Sequence, residues 1–282
     1  MILKARDLDA EAFDAATLDA LFDAILINDV VDDTTPLPDT ITLDIDARHL
    51  IGCFRISRQL WKTSGYAADL ADLLNRLAQN GDLDKGERLR FKHVRAKFKH
   101  LRFAHALYDR CHRYPVVLHW MTTAMGHLQD AIKARNARAI RREVAIVRAF
   151  LTWLPQRRIT HEVNRLDAAD SAGFHAYVMT QIGKLRGVLD HDAVTGAEFH
   201  ATRKIISRQV SFYDDLRTIA PSDEAFAMSR ALAAINGLMG QMHDDLIAEK
   251  IVGTRDYHRE RFAFPDAIGT RLRALADRYP PC

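Results

Sequence analysis

The chain has three cysteines in 282 residues, Cys53, Cys111 and Cys282. They are scattered and odd in number, which excludes a disulfide framework or a zinc-type ligand spacing. A reducing cytoplasm is the expected setting. Thirteen glycines and eight prolines are too few for a low-complexity or collagen-like chain and suit a helical globular one. No apolar run approaches the roughly 18 residues of a membrane span, so no membrane partner is expected. The N-terminus turns acidic at Asp7 and lacks the apolar core of a signal peptide. A nucleophile elbow, a Walker loop and a dinucleotide fingerprint are all missing. His161-Glu162 has no second histidine to complete a zinc-protease helix. His93, His100, His105, His112, His119 and His127 are numerous but come without the carboxylate or cysteine partners of a ligand set. No metal, cofactor or catalytic group is expected.

What the sequence does have is charge, unevenly placed. Residues 1–50 contain twelve Asp or Glu against Lys4, Arg6 and Arg48, a balance of −9. The chain as a whole is +3, so the remainder carries +12. Such segregation points to an anionic partner for the basic part. The competing reading is a helical protein with solvated charged faces.

Residues 10–27 set Phe13, Leu18, Leu21, Phe22, Ile25 and Leu26 at helical spacing, with Asp14, Asp19 and Asp23 among them. This predicts an acidic amphipathic helix, broken off by Pro36 and Pro38. Ile41, Leu43 and Ile45 alternate with Thr42, Asp44 and Asp46, predicting a short extended segment. Helical patterns then follow near 52–79, 85–113, 115–133, 136–153, 157–189, 196–219, 222–236 and 238–250, with a helical tail at 265–278. Short breaks at Asn80-Gly81, Pro115, Pro155, Gly196 and Pro221 separate them. Long helices on short turns give antiparallel neighbours. The expected architecture is all-α. An acidic N-terminal extension over 1–50 precedes a helical domain over 51–282, in two halves of about 52–155 and 156–278.

Residues 91–102 are the most distinctive stretch. Lys92, Arg95, Lys99 and Arg102 fall at offsets of zero, three, seven and ten, which stack on one helix face. Lys97 and His100 widen the cationic surface. Like charges at this spacing cost a helix a few tenths of a kcal/mol per pair, and a multiply anionic ligand relieves that cost. A weaker run follows at 199–208, with His200, Arg203, Lys204 and Arg208. After each basic helix and a connection comes Met-Gly-x-x-x-Asp: Met125, Gly126 and Asp130, then Met239, Gly240 and Asp244. Two antiparallel bundles of this kind, related by a pseudo-twofold axis, would line one basic cavity.

This ordered pair resembles the CHAD family, the conserved histidine α-helical domain. In that family a His-x-x-Arg-x-x-x-(Arg/Lys) run precedes a Leu-Gly-x-x-x-Asp-like turn in each half. His200 and Arg203 match the second run, with Arg208 one place beyond its base, and Met239, Gly240 and Asp244 match its turn. Arg95, Lys99, Arg102, Met125, Gly126 and Asp130 match the first copy. Lys92 stands where the family has histidine, and Ser207 where it has a base. The resemblance covers roughly residues 85–250. It implies two similar helical bundles around a basic cavity, non-enzymatic binding of inorganic polyphosphate, and association with polyphosphate granules. The binding residues it implies are Lys92, Arg95, Lys99, Arg102, His200, Arg203 and Arg208. Lys97, His100, Lys204, Asp130 and Asp244 are their supports.

The chemistry of the residues runs the same way. Lysine offers a point charge, and arginine a planar fork for two phosphate oxygens. Phe91, Phe98, Phe103 and Tyr108 accompany the stripe, but Phe91 and Phe98 share a core-facing spacing. Exposed aromatics for stacking bases are therefore not expected, which ranks nucleic acid below polyphosphate. Two alternatives stay open: a nucleic-acid-binding helical module, and a magnesium-dependent phosphate or diphosphate enzyme built on Asp244, Asp245 and Glu249. His200 reads equally as an anion ligand or as a half-buried histidine satisfied by a neighbour. Asp130 and Asp244 read as groups that fix a basic side chain or cap a helix. Arg135, Arg138, Arg141, Arg142 and Arg148 form another basic run; Arg138, Arg141, Arg142 and Arg148 spread around the helix as well as along it, which reads partly as a solvated face and partly as an extension of the basic surface. The acidic N-terminal helix is a structural cap, or a segment that tunes anion access by weakly mimicking the ligand.

Overall fold

A computed structural model describes residues 1–39, 41, 43 and 45–280. It is predominantly helical. The chain forms two compact units. The first comprises Met1–Phe22 and Leu50–Ala169, and the second Asp23–His49 and Asp170–Cys282. The first fifty residues are thus shared between the units.

In the first unit, strand β1 (Ile2–Lys4) leads into α1 (Ala5–Leu8) and the first eight residues of α2 (Ala15–Leu26), whose last four belong to the second unit. Then come α3 (Ala47–Lys62), α4 (Tyr66–Asn80), α5 (Lys85–Tyr108), α6 (Val116–Lys133), α7 (Ala137–Phe150) and α8 (Trp153–Val163). Strand β2 (Arg165–Asp167) closes the unit by pairing antiparallel with β1, Leu3 opposite Leu166. Helix α6 packs against α5 and α7, and α4 against the same two. In the second unit, a 3₁₀ turn (Ile27–Asp29) follows α2. Helices α9 (Ser171–Leu189), α10 (Gly196–Ile219), α11 (Asp223–Val252) and α12 (Asp266–Arg278) form the bundle, with α10 lying along α11. A two-residue ribbon joins β3 (Val194–Thr195) to β4 (Arg261–Phe262).

The apolar periodicity locates most helices, and the breaks show where it is blind. The pattern at 52–79 divides because Gly65 takes a left-handed conformation, φ +60°, which costs glycine little. The pattern at 157–189 divides because β2 has a partner at the far N-terminus. Conversely, 222–236 and 238–250 are one helix. Gly237 does not break α11: it makes room for the carbonyl of Val30, which sits where a Cβ would be. In the alternating segment, Thr42 and Asp44 lie outside the described residues, as does Cys282. Ile41 and Ile45 are buried, and the described residues there form no strand.

One core group gives the first unit a pH signature. His105, on α5, is buried with its ring edge-on to Phe54, centroids 4.8 Å apart. Burial pushes its imidazole from 6.5 down to about 3. The folded chain therefore keeps it neutral where the unfolded chain takes a proton. Its contribution is complete above about 6.5 and is lost as pH falls toward about 3, at roughly 1.4 kcal/mol per pH unit. Between pH 7 and pH 5 the parent is expected to lose about 2 kcal/mol more than His105→Gln in denaturant unfolding. Equal losses would mean that His105 is not the source.

Candidate functional site

Both basic helices open with reciprocal caps. At α5, Asp84 accepts from the Glu87 amide and Glu87 accepts from the Asp84 amide. At α10, Thr195 and Glu198 do the same. A capping box satisfies orphan N–H groups and fixes where the helix starts, so the register of the cations that follow is set locally.

On α5 the core side is Phe91, Val94, Phe98 and Leu101, all buried, with Phe98 edge-on to Trp61 and Tyr66. This leaves Lys92 exposed and Arg95, Lys97, Lys99 and Arg102 half-buried. His100, expected to widen the cationic surface, is buried at 4% exposure, on a different side of α5 from Phe91, Val94, Phe98 and Leu101. Lys97 is covered by α2, its Nζ 4.4 Å from the Phe22 ring centroid. Burial lowers the Lys97 ammonium, against the pull of Asp69 and Asp19. His93 packs on the same ring at 5.3 Å. Its imidazole is held below the ordinary range by burial first, then by the charges of Lys97 and Lys92.

Two arginines of the stripe have defined seats. The Arg95 guanidinium lies across Gly126 of α6: a Cβ there would stand 3.1 Å from its Nη2. Arg102 lies 4.9 Å from the Tyr114 ring and 5.1 Å from Phe103, with Nη1 3.4 Å from His119 Nδ1. Tyr114 and His119 stack on one another at 5.2 Å.

In the second unit, Phe199, Thr202, Ile205 and Ile206 of α10 are buried. His200 stacks on His243 of α11, centroids 4.5 Å apart. His243 Nε2 lies 3.3 Å from the Tyr257 hydroxyl. Arg203 lies across Gly240, where a Cβ would stand 2.8 Å from Nη2. The same Nη2 donates to Asp29, 3.3 Å away, from the 3₁₀ turn. Arg208 donates to Gln181 of α9 at 2.6 Å, and Lys204 is exposed. Ser207, where the resemblance expects a base, is buried and donates to Asn236 of α11 at 2.6 Å.

Asp130 and Asp244 are exposed on α6 and α11. Both Met-Gly-x-x-x-Asp segments are helix interior, so neither aspartate is an N-cap. The glycines serve close approach of an arginine, not chain reversal. Of the acids suggestive of magnesium, Glu249 pairs with Arg255. Among the described residues no group of three or more His, Cys, Asp or Glu could hold a metal ion. A cavity of about 210 Å³ in the second unit is lined by Ile45, His49, Tyr213, Leu216, Ser222 and Glu224 among others, and by none of the basic-run residues. Among the described residues no helix is long and apolar enough to cross a membrane.

Sequence reasoning missed His243, Tyr257, Asn236 and Asp29. His243 alone had a signal, standing between Gly240 and Asp244. No protein-family model, curated protein or solved structure matches the chain.

Proposed function

We propose that this protein binds inorganic polyphosphate, or a similar polyanion, through the basic face of α5 and the His200–Arg203 region of α10, without catalysing a reaction. We further propose that it is a divergent relative of the CHAD family. One observation carries the reading. In each unit an arginine of the basic helix is laid across the glycine of the following Met-Gly-x-x-x-Asp segment. A guanidinium seated on a helix backbone is held before any ligand arrives, so less freedom is lost on binding. Two such seats also support two related bundles as the architecture, with the cytoplasm and polyphosphate granules as the proposed setting.

Burial of Phe91, Phe98, Phe103 and Tyr108 supports a ligand made of phosphates without bases. A second reading, single-stranded nucleic acid, draws on the half-buried Tyr114–His119 stack beside Arg102. Competition separates the two. Long-chain polyphosphate is expected to displace bound single-stranded RNA, with RNA a poor competitor in return. Affinity should fall steeply with salt as counterions are released. The reverse order of competition would favour nucleic acid. Magnesium-dependent release of phosphate would overturn the non-enzymatic reading.

A further inference from the structure

The acids of the N-terminal segment were expected to act, if at all, from α2. Asp14 instead caps its own helix, accepting from the Thr17 amide at 2.7 Å. Asp19 and Asp23 are exposed. Asp19 acts on Lys97 of the first run through its charge alone, whereas Asp29, beyond the helix, makes a direct ion pair with Arg203 of the second.

The turn that carries Asp29 is anchored without that ion pair. Asn28 Nδ2 donates to the buried Asp214 at 2.6 Å, and the Asn28 carbonyl accepts from Asn236 at 2.6 Å. Asn236 is itself held by Ser207. The Val30 carbonyl fills the space that Gly237 leaves on α11. These contacts deliver a carboxylate to Nη2 of Arg203, the terminal nitrogen that also overlies Gly240. The Asp29 side chain is 40% exposed against 16% for Arg203, so the carboxylate covers the solvent side of a largely enclosed cation. The contacts of the Asp29 carboxylate with Arg203 and with Asn236 Nδ2 are long, 3.3 Å and 3.4 Å, against about 2.7–2.9 Å for a strong charge-assisted bond, and a chain of phosphates presents many charges where Asp29 presents one.

We propose that Asp29 is a built-in competitor: it occupies the anion position on Arg203, and the second unit accepts a polyanion only by expelling it. The proposal rests on the polyanion reading above. Ser207 then has a role in place of the missing base, since it fixes the asparagine that holds the competitor's turn. The first unit becomes the primary docking face, and the second engages at a higher ligand concentration or lower salt.

The test uses the full chain and long-chain inorganic polyphosphate, with Lys92, Arg95 and Lys99 replaced by Gln so that binding reports on the second unit. In that background Asp29→Asn is expected to tighten binding about fivefold. Asp39→Asn, the same charge change at a fully exposed site, is expected to change it less than twofold. Adding Arg203→Gln should abolish the Asp29→Asn gain. An unchanged or weaker Asp29→Asn, or equal gains at Asp29 and Asp39, overturns the proposal. Side-chain carboxyl NMR on the unaltered protein gives a second readout that needs no variant. Saturating polyphosphate should move the Asp29 carboxyl resonance toward that of a solvated carboxylate, and an unmoved resonance also overturns the competitor role. Failure of the unaltered protein to bind polyphosphate overturns the functional reading and this proposal together, whereas binding with either negative result above removes the competitor alone.

Discussion

Replacing Lys92, Arg95, Lys99 and Arg102 together by Gln is expected to lower polyphosphate affinity at least a hundredfold and to leave the helix content unchanged. A charge-assisted hydrogen bond contributes on the order of 1.5–3 kcal/mol, and neighbouring ones do not add fully. The equivalent of two such bonds already amounts to about 3 kcal/mol, roughly a hundredfold in affinity. Gln is a good helix former and keeps much of the aliphatic stem. Removing the stripe's self-repulsion returns a few tenths of a kcal/mol per pair. The loss of Arg102 from the Tyr114 and Phe103 rings costs up to about 1 kcal/mol. Titration calorimetry at moderate salt and circular dichroism measure the two effects. A folded variant that binds like the parent would reduce the stripe to a solvated face.

The largest stability effect is expected at Arg58, which is 2% exposed on α3. Its Nε donates to the Val163 carbonyl at 3.1 Å, and its Nη2 to the Asn164 side chain. Its Nη1 meets Asp9 at 2.7 Å. Hydrogen bonds from Arg58 and then Lys62 hold the Asp9 carboxyl down to about 2. One guanidinium thus ties the N-terminal segment and the end of α8 to α3. Arg58→Ala deletes that donor set, leaves the Val163 carbonyl buried without it, and opens a void. The expected loss is about 3–5 kcal/mol in urea unfolding. Arg58→Met keeps the volume and should lose less. A loss under about 1 kcal/mol for Arg58→Ala would show that the network is dispensable.

The helices and the cationic stripe are legible because both depend on local spacing. Phe91, Val94, Phe98 and Leu101 recur at the helical period, and Lys92, Arg95, Lys99 and Arg102 each follow one of them by one residue, so the same period sets the cations on a face about 100° around the helix. Gly126 and Gly240 stand out by their repeated Met-Gly-x-x-x-Asp context. The arginine that each one seats is 31 or 37 residues earlier in the chain, and periodicity says nothing about such a contact. The strands of the two ribbons are two or three residues long, and each ribbon joins distant stretches, Ile2 to Asp167 and Val194 to Phe262. They are too short to carry an alternating pattern. Gly237 looks like a helix breaker because its reason for being glycine is a carbonyl from residue 30. Arg58 and Asp29 carry no local mark at all. Each looks like one more surface charge, and its partners come from segments remote in sequence.

The most direct test is a crystal of the protein soaked with tripolyphosphate. The expected result is phosphate density along the basic face of α5, within hydrogen-bond distance of Arg95 and Lys99 and close to Lys92. Phosphates seated away from both basic helices, or an α5 face that stays bare at saturating ligand, would contradict the account.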